Sequence, residues 1–386
     1  METHKRLTKP TLFIFTLMNF VLAMSSFLFN GILDQVAQQL AIPISETGLL
    51  NSAYAYGAGL GVPITLVLFR KFERTSMLKI MLALTIMASI WMIYTRSFEQ
   101  LLLIRFLTGV TGNGYGVLAM GTVAALTPPE KLGSTLAKLI MGASLALVIG
   151  MPLTRMLSQY FNWQVDYLFL IVLMIIAFIY FLNFLPSVKT NQNQINFKSE
   201  LALLKNKETL FVLFSSLITF IGYGSLFTYV TPYLLELFPK VDHILSYYLI
   251  IMGLACFSGN LCGGYISDRI GFKKALLIGT AIQMVLTGLI FVFQNQMWIT
   301  LILILLWQFM GWFIGLQLNT GINITTQNKS SFILNLNSSN IQLGQAFGLS
   351  IAVFIIKSFG IQSLSLLTLS STLLILLIST ILKEKT

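Results

Sequence analysis

Two ionisable side chains stand where charge is costly in this strongly apolar chain of 386 residues. Arg105 lies one to two turns inside a long apolar stretch, where an unpaired charge is unfavourable in hydrocarbon, so it requires a partner. Asp34 follows the first apolar stretch, and a helical rise places it near the depth of Arg105. We therefore expect an Asp34–Arg105 pair whose strength depends on protonation of Asp34. The alternatives are a solvated Asp34 and an Arg105 that extends to the surface.

A second concentration of charge is the segment 264–274, GYISDRIGFKK, which separates two apolar runs. Asp268 and Arg269 are candidates for a gating latch, in which the acid pairs with cations or with a helix N-terminus. The alternative is a loop whose cations only set topology. In a related segment, 69–74, the cations Arg70 and Arg74 persist, but the acid and the turn glycine are missing.

Uncharged polar and aromatic side chains recur at helical spacing inside several apolar runs. A mostly apolar wall with a few hydrogen-bonding groups suits a small amphipathic or neutral solute. The alternative is that these side chains hold helices together. The candidates for contact with a solute are Asn19, Ser26, Asn30, Asn113, Ser225, Tyr229, Tyr233, Gln308, Trp312, Asn319, Asn337 and Asn340.

Several other kinds of chemistry find no support in the residues. The two cysteines, Cys256 and Cys262, are six residues apart in one predicted helix, which argues against a disulfide or a metal site. The two histidines cannot build a metal cluster, and we find no nucleophile–base set. We therefore expect no cofactor, no metal and no enzymatic activity.

The elements that must position these residues are long apolar runs. Charged residues make up 10% of the chain, against about 25% in soluble proteins. Each run is long enough to cross a bilayer, and a spanning segment must satisfy its backbone internally, so the runs predict helices. We predict an all-α integral membrane protein with about twelve transmembrane helices, near residues 11–33, 46–69, 77–95, 100–126, 133–158, 165–185, 208–237, 243–267, 273–293, 297–326, 331–356 and 361–382.

The net charge of +11 is distributed unevenly between the predicted loops. Most cations fall in loops on the side of the N-terminus, so the positive-inside rule predicts that both termini are cytoplasmic. The basicity is then topological, and nucleic-acid binding is not expected. A polar segment near the middle divides the chain into two six-helix halves, as expected of pseudo-twofold repeats. The predicted divisions are 1–185, a cytoplasmic linker at 186–207, and 208–386.

The segment 264–274 resembles the G-x-x-x-D-R-x-G-R-[KR] motif of the major facilitator superfamily, which lies in a cytoplasmic loop of a six-helix half. The run around Arg105 resembles an arginine motif of twelve-span drug:proton antiporters. The run 142–154 resembles an exporter motif, with Gly150 and Pro152 in place. The order of these and further motifs is similar to that of arabinose- and chloramphenicol-type efflux permeases across essentially the whole chain.

The resemblance implies a carrier in a bacterial cell membrane that works by alternating access. It implies proton coupling through Arg105 and gating at Gly150, Pro152 and Gly264. We expect a monomer whose partners are protons, lipid and a small organic substrate, such as a drug, a sugar or a nucleoside-like compound, which it exports. The alternatives are uptake or lipid flipping without an obligatory proton, and a membrane sensor.

Overall fold

The computed structural model describes residues 7–68, 72–188, 202–327 and 330–383, and helices dominate all four ranges. We number the long helices α1 to α12 and treat three consecutive helical segments as α5. Their bounds are α1 Lys9–Phe27, α2 Ile44–Leu68, α3 Arg74–Tyr94, α4 Phe98–Leu126, α5 Leu132–Leu145 with Ala146–Gly150 and Met151–Ser158, α6 Trp163–Phe184, α7 Lys207–Thr228, α8 Asp242–Ile270, α9 Phe272–Val292, α10 Met297–Thr325, α11 Ser331–Phe359 and α12 Leu364–Lys383.

Eleven of these helical stretches are long and apolar enough to cross a membrane. The remaining one, α2, has 25 residues, enough to span about 30 Å of hydrocarbon. Its many serine, asparagine, glycine and tyrosine residues lower its apolarity, but it packs between α4 and α11. The prediction of an all-α membrane protein with about twelve spans is confirmed.

The contacts between helices repeat after six helices. In the first set, α1 packs on α5, α2 on α4, and α3 on α4 and α6. In the second set, α7 packs on α11, α8 on α10, and α9 on α10 and α12. The main contacts between the sets are α2 with α11 and α5 with α8, which are themselves related by the same shift. The structure therefore has two six-helix sets of the same architecture.

Glycines at equivalent positions fix the register of the repeat. A Cβ atom added to Gly57 would collide with the carbonyl oxygen of Phe106, and one added to Gly259 would collide with that of Phe309. The α2–α4 and α8–α10 backbones therefore approach closely at matching points. This register places Arg105 opposite Gln308 in the second set.

The bundle has two sides, which we name by the connections they carry. The linker side holds the ends nearest the chain termini and residues 185–188, and the far side holds the connections after α1, α3, α5, α7, α9 and α11. On the far side, a short helix, Leu33–Leu40, follows α1 and another, Val230–Leu237, follows α7. The predicted run 208–237 is therefore two helices that meet at Tyr229. The divisions 1–185, 186–207 and 208–386 stay a prediction, because residues 189–201 lie outside the described ranges.

Candidate functional site

Arg155 joins two carboxylates that come from different six-helix sets. It lies near the far-side end of α5, where its Nη1 donates to both carboxylate oxygens of Asp34 at 2.7 and 2.8 Å. Its Nη2 donates to Oδ1 of Asp242, the first residue of α8, at 2.7 Å. Both acids stand in the first turn of a helix, where a negative charge is favoured. The planar guanidinium suits this arrangement, because its donors diverge toward two carboxylates at once.

A second ion pair crosses between the sets on the same side. Lys357, near the end of α11, donates to Glu46 in the first turn of α2 at 2.6 Å. Its side chain is 50% exposed, whereas that of Arg155 is 3% exposed. An exposed pair contributes about 0–1 kcal/mol, whereas removing one partner of a buried pair costs about 3–5 kcal/mol. We name these four hydrogen bonds the far-side seal: three from Arg155 to Asp34 and Asp242, and one from Lys357 to Glu46. Arg155 dominates the seal.

Uncharged contacts between the sets continue from the seal toward the middle of the bundle. The Tyr229 hydroxyl donates to the carbonyl of Ser45. Ser52 on α2 donates to the carbonyl of Ala346 on α11 at 2.9 Å. On the other face, a Cβ atom added to Gly253 of α8 would lie 2.5 Å from the Leu147 carbonyl oxygen of α5. The α5 and α8 backbones therefore approach closely at Gly253.

The segment of α5 that resembles the exporter motif departs from regular helix. Residues Ala146–Gly150 form a π-helical turn just before Pro152. Proline removes a backbone donor and disrupts the preceding turn, which accounts for the irregularity. Gly150 itself faces Met24 of α1 rather than α8, since a Cβ atom there would lie 3.1 Å from the Met24 side chain.

The expected Asp34–Arg105 pair is wrong for this conformation, because the Asp34 carboxylate is bound by Arg155. The reason is the break after α1, where residues Leu28–Gly31 form a 3-10 turn. A continuous helix would have carried Asp34 along the axis of α1. Instead, the short helix Leu33–Leu40 places Asp34 beside the end of α5. Arg155 and Asp242 were missed, although a cation just after the proline motif and an acid opening α8 were visible signals.

Arg105 is completely buried and is held without a carboxylate among the described residues. Its partners are oxygen acceptors from α1, α2 and α6, and they are the carbonyls of Ser25, Ser26 and Leu50, the Asn51 side chain and the Tyr167 hydroxyl. The rings of Phe29 and Tyr54 lie 4.9 and 4.5 Å from the guanidinium carbon. Dipoles and aromatic faces therefore take the place of a counter-ion.

The charged hairpin of residues 264–274 lies on the linker side, and its contacts differ from those of the far-side seal. Gly271 has φ +79°, so the tight turn between α8 and α9 needs a glycine there. Asp268 and Arg269 are exposed, and the Arg269 guanidinium lies 4.2 Å from the Tyr265 ring. Asp268 forms no recorded hydrogen bond or ion pair within the described ranges. The proposed latch is therefore not engaged here.

Other polar contacts on the linker side stay within one set. Arg74 donates to the Gly121 carbonyl at 2.8 Å, and Lys273 donates to Glu208 at 2.6 Å. Glu73 accepts hydrogen bonds from the side chains of Ser187, Thr75 and Ser76, which lower its pKa. Gly264 is half-buried near Leu316 of α10, and Arg70 lies outside the described residues. Between described residues, the recorded ion pairs and hydrogen bonds that cross the sets run from the middle of the bundle to the far side.

Many of the predicted solute contacts instead connect helices or bond to their own helix. Asn19, Asn113, Ser225, Tyr229 and Asn340 each donate to an oxygen of the protein. Asn337 donates to Asn319 at 3.0 Å, and Asn30 accepts from Asn51 at 2.7 Å. Ser26 contributes its carbonyl to Arg105.

A smaller group retains polar atoms that have no hydrogen-bond partner in the structure. These are the Asn30 and Gln308 amide nitrogens, the Trp312 indole nitrogen, the Asn337 amide oxygen and the Tyr233 hydroxyl. Gln308 accepts from Tyr223, whose ring stacks on Trp307 at 4.9 Å. Tyr223 and Trp307 form an aromatic wall beside Gln308, and no motif had singled them out.

Comparison with known proteins assigns the chain to a family. A model described as the Major Facilitator Superfamily matches residues 15–331, so the chain belongs to that superfamily of transporters and is not an enzyme. It is 23% identical over 352 residues to a probable sugar efflux transporter of Pasteurella multocida (strain Pm70), covering 90% of this chain and 85% of that protein. It is 28% identical over 269 residues to a chloramphenicol resistance protein of Streptomyces lividans, covering 68% and 67%.

The solved structure of a D-xylose-proton symporter has the same fold. It matches with a TM-score of 0.75 and 12% sequence identity, over 95% of this chain and 96% of that chain. This likeness shows the architecture of the twelve helices and nothing about the solute.

Proposed function

We propose that this protein exports a small organic solute from the cytoplasm in exchange for protons, by alternating access. The observation that carries the proposal is the one-sided closure of the bundle. Arg155 and Lys357 tie the two sets together on the far side, while the polar contacts recorded between described residues on the linker side stay within one set. Such a molecule accepts a solute from the linker side and must break the seal to release it.

The sidedness of the bundle is inferred from the distribution of charge. The cation-rich loops lie on the linker side, and the positive-inside rule makes that side cytoplasmic. The conformation described above is then the one that loads a solute from the cytoplasm. A sugar efflux transporter and a chloramphenicol resistance protein among the relatives support export of a sugar-like or drug-like compound.

Proton coupling is proposed at the seal, with Asp34 as the titrating group. A proton on Asp34 would remove one of the two charges that hold Arg155. Arg155 would then depend on Asp242 alone, and the far side would open more easily. Arg105 remains a fixed internal cation in this scheme, and its neutral cage keeps it in place. On the opposite side, Asp268 and Arg269 are proposed to engage when the cytoplasmic side closes.

Everted membrane vesicles provide the test, because export from the cell becomes uptake into the vesicle. A panel of radiolabelled sugars, nucleosides and amphenicols is offered with an imposed proton gradient, with and without a protonophore. We expect uptake of at least one compound, abolished by the protonophore and lost in Asp34→Asn. Gradient-driven uptake that Asp34→Asn leaves intact would remove Asp34 from the coupling mechanism.

The same vesicles distinguish the alternatives. Solute equilibration without any response to a pH gradient would indicate a facilitator, and movement of a labelled lipid would indicate lipid flipping. A sensor would bind a signalling partner and move no solute. The one-sided seal favours a carrier over a sensor, because it closes the bundle to solutes on the far side and not on the linker side.

A further inference from the structure

A carboxyl group that the seal does not use lies buried near the same end of the first set. Asp166 belongs to the first turn of α6 and is 0% exposed. The Ser158 hydroxyl, at the end of α5, donates to its Oδ2 at 2.7 Å. Its other oxygen, Oδ1, has no hydrogen-bond partner.

The surroundings of Asp166 contrast with those of Asp34 on the same side. Asp34 is only partly buried and receives two guanidinium hydrogen bonds. Asp166 is fully buried and receives one bond from a neutral hydroxyl. A buried carboxylate requires a cation or several donors to remain ionised, whereas a protonated carboxyl requires much less. The position of Asp166 therefore favours the protonated form, although the N-terminus of α6 offers some stabilisation to the anion.

The charged groups that face this end of α6 do not offer Asp166 a counter-ion. On α5, Arg155 is engaged by Asp34 and Asp242. On α4, Arg105 is bound to the Tyr167 hydroxyl beside Asp166. The far-side half of α1 has no titratable residue in its sequence, and the end of α3 carries only the exposed Tyr94, with the exposed Arg96 beyond it.

A far-side cavity and a second unpartnered atom are formed by residues that precede Asp166 in the chain. An open cavity of about 740 Å³ on the far side is lined by Asn162, Gln164 and Val165, which precede Asp166 in the chain. The indole nitrogen of Trp163, one helical turn earlier, also lacks a partner. That N–H is available to a carboxylate once Asp166 ionises.

We infer that Asp166 is a proton-binding site, occupied while the far-side seal is closed and vacated when the end of α5 moves away and the seal opens. The Ser158–Asp166 hydrogen bond links the site to the helix that carries Arg155. The inference rests on the proposed alternating access, but it does not require that the proton drive export.

Two consequences follow. Because the proton on Asp166 binds the closed state more tightly, loss of that proton favours opening, by at most about tenfold per pH unit for one proton, and so acts in the opposite direction to the proposed protonation of Asp34. Removing the Ser158 hydroxyl takes away the one donor that the described part of the chain offers to the carboxylate, so Ser158→Ala shifts the transition to higher pH.

The experiment uses the full chain in proteoliposomes, with Cys256→Ser and Cys262→Ser as background. Thr228→Cys is the reporter, because Thr228 is buried at the far-side end of α7 and its hydroxyl makes no hydrogen bond. Its labelling by a membrane-impermeant maleimide is measured against pH, with correction for the maleimide's own pH dependence. Because the proposed protonation of Asp34 has the opposite effect, the contribution of Asp166 is the difference between the parent and Asp166→Asn. We expect the parent to gain more labelling with rising pH than Asp166→Asn does, and the exposed control Glu99→Gln to behave like the parent.

Infrared difference spectra between low and high pH supply a second measurement. One component of the carbonyl band of protonated carboxylic acids is expected in the parent and lost in Asp166→Asn, while components from Asp34 and other acids remain, and Ser158→Ala should move the titration of that component to higher pH. An unchanged band in Asp166→Asn, or a pH dependence of labelling that the substitution leaves unchanged, would overturn the inference. If Asp166→Asn does not fold, the direction in which Ser158→Ala shifts the pH of the titration tests the inference. Absence of proton-driven export in the parent would defeat the proposed function alone, because the band still reports on Asp166.

Discussion

Arg155 and Lys357 occupy equivalent positions in the two six-helix sets. They are 202 residues apart, the same separation as Gly142 and Gly344, which pack against the equivalent carbonyls of Thr16 and Leu217. Each cation ends its helix and binds an acid in the first turn of a helix from the other set. Only Arg155 is buried and has a second acid, Asp34. Arg155 and Lys357 thus occupy equivalent positions, but the contacts of Arg155 are stronger than the contact of Lys357.

Loss of Arg155 should impair the carrier far more than loss of Lys357. Arg155→Gln leaves Asp34 and Asp242 without their cation, and we expect a fall in transport of at least about tenfold, since breaking a buried pair costs about 3–5 kcal/mol. Lys357→Gln should reduce transport less than about fivefold, because an exposed pair contributes about 0–1 kcal/mol. Initial rates in everted vesicles give the comparison, with expression levels matched. Equal effects would contradict the unequal seal.

Arg105 should not tolerate lysine. The guanidinium reaches five oxygen acceptors in its cage, and an ammonium group has three donors on a differently shaped stem. We expect Arg105→Lys to lower the thermal unfolding midpoint of the detergent-purified protein and to reduce transport at least about tenfold, because buried acceptors left unpaired cost about 1–3 kcal/mol each. Arg96→Lys, at an exposed position on the far side, is the matched control and should leave both quantities unchanged. A fully active Arg105→Lys would show that charge alone suffices.

Gly253 should be required for closure of the far side. A methyl group at Gly253 would lie 2.5 Å from the Leu147 carbonyl oxygen, so Gly253→Ala forces α5 and α8 apart. Overpacking of this kind costs about 1–3 kcal/mol, and here it destabilises the state in which the far side is closed. We expect the Thr228→Cys reporter to be labelled several-fold faster in Gly253→Ala. Gly288→Ala, where a Cβ atom meets nothing within 4 Å, is the control. Unaltered labelling in Gly253→Ala would mean that this contact does not close the carrier.

Asp268 should matter only when the linker side closes. It has no recorded partner among the described residues, so Asp268→Asn should leave the far-side seal and thermal stability unchanged. We expect transport to fall at least about fivefold, as for loss of a charge-assisted contact of about 1.5–3 kcal/mol in the other state. Lys274→Gln, an exposed change in the same hairpin, is the control for a general effect on loop charge. Equal losses in the two variants would make the hairpin a topology signal only.

The helical architecture was predictable because lipid leaves few choices for a backbone. Runs of apolar residues predicted most spans to within a few residues, although the first and seventh helices end earlier than predicted, and the glycine in the hairpin correctly marked the turn at Gly271. Even the weakly apolar α2 was recognisable, because its polar residues are isolated among apolar ones. These features depend on local composition, which a sequence displays directly.

Pairing between distant charges was not predictable in the same way. The depth argument for Asp34 assumed a straight helix, and the 3-10 turn after Phe27 redirected the chain. Arg155 and Asp242 are 87 residues apart, and their contact depends on how one six-helix set leans against the other. Amide side chains were ambiguous for a related reason, since spacing shows that they share a face but not whether a helix or a solute lies opposite.

The buried Arg105 also makes the electrostatic potential inside the bundle positive. Dipoles and aromatic rings stabilise its charge, but no anion within the described ranges pairs with it. A positive potential therefore remains around α4. A cation held about 8 Å from it would be repelled by about 2 kcal/mol at an effective dielectric constant of about 20, roughly a thirtyfold loss of affinity. We therefore expect solutes that carry no positive charge to be accepted more readily than quaternary or protonated amines.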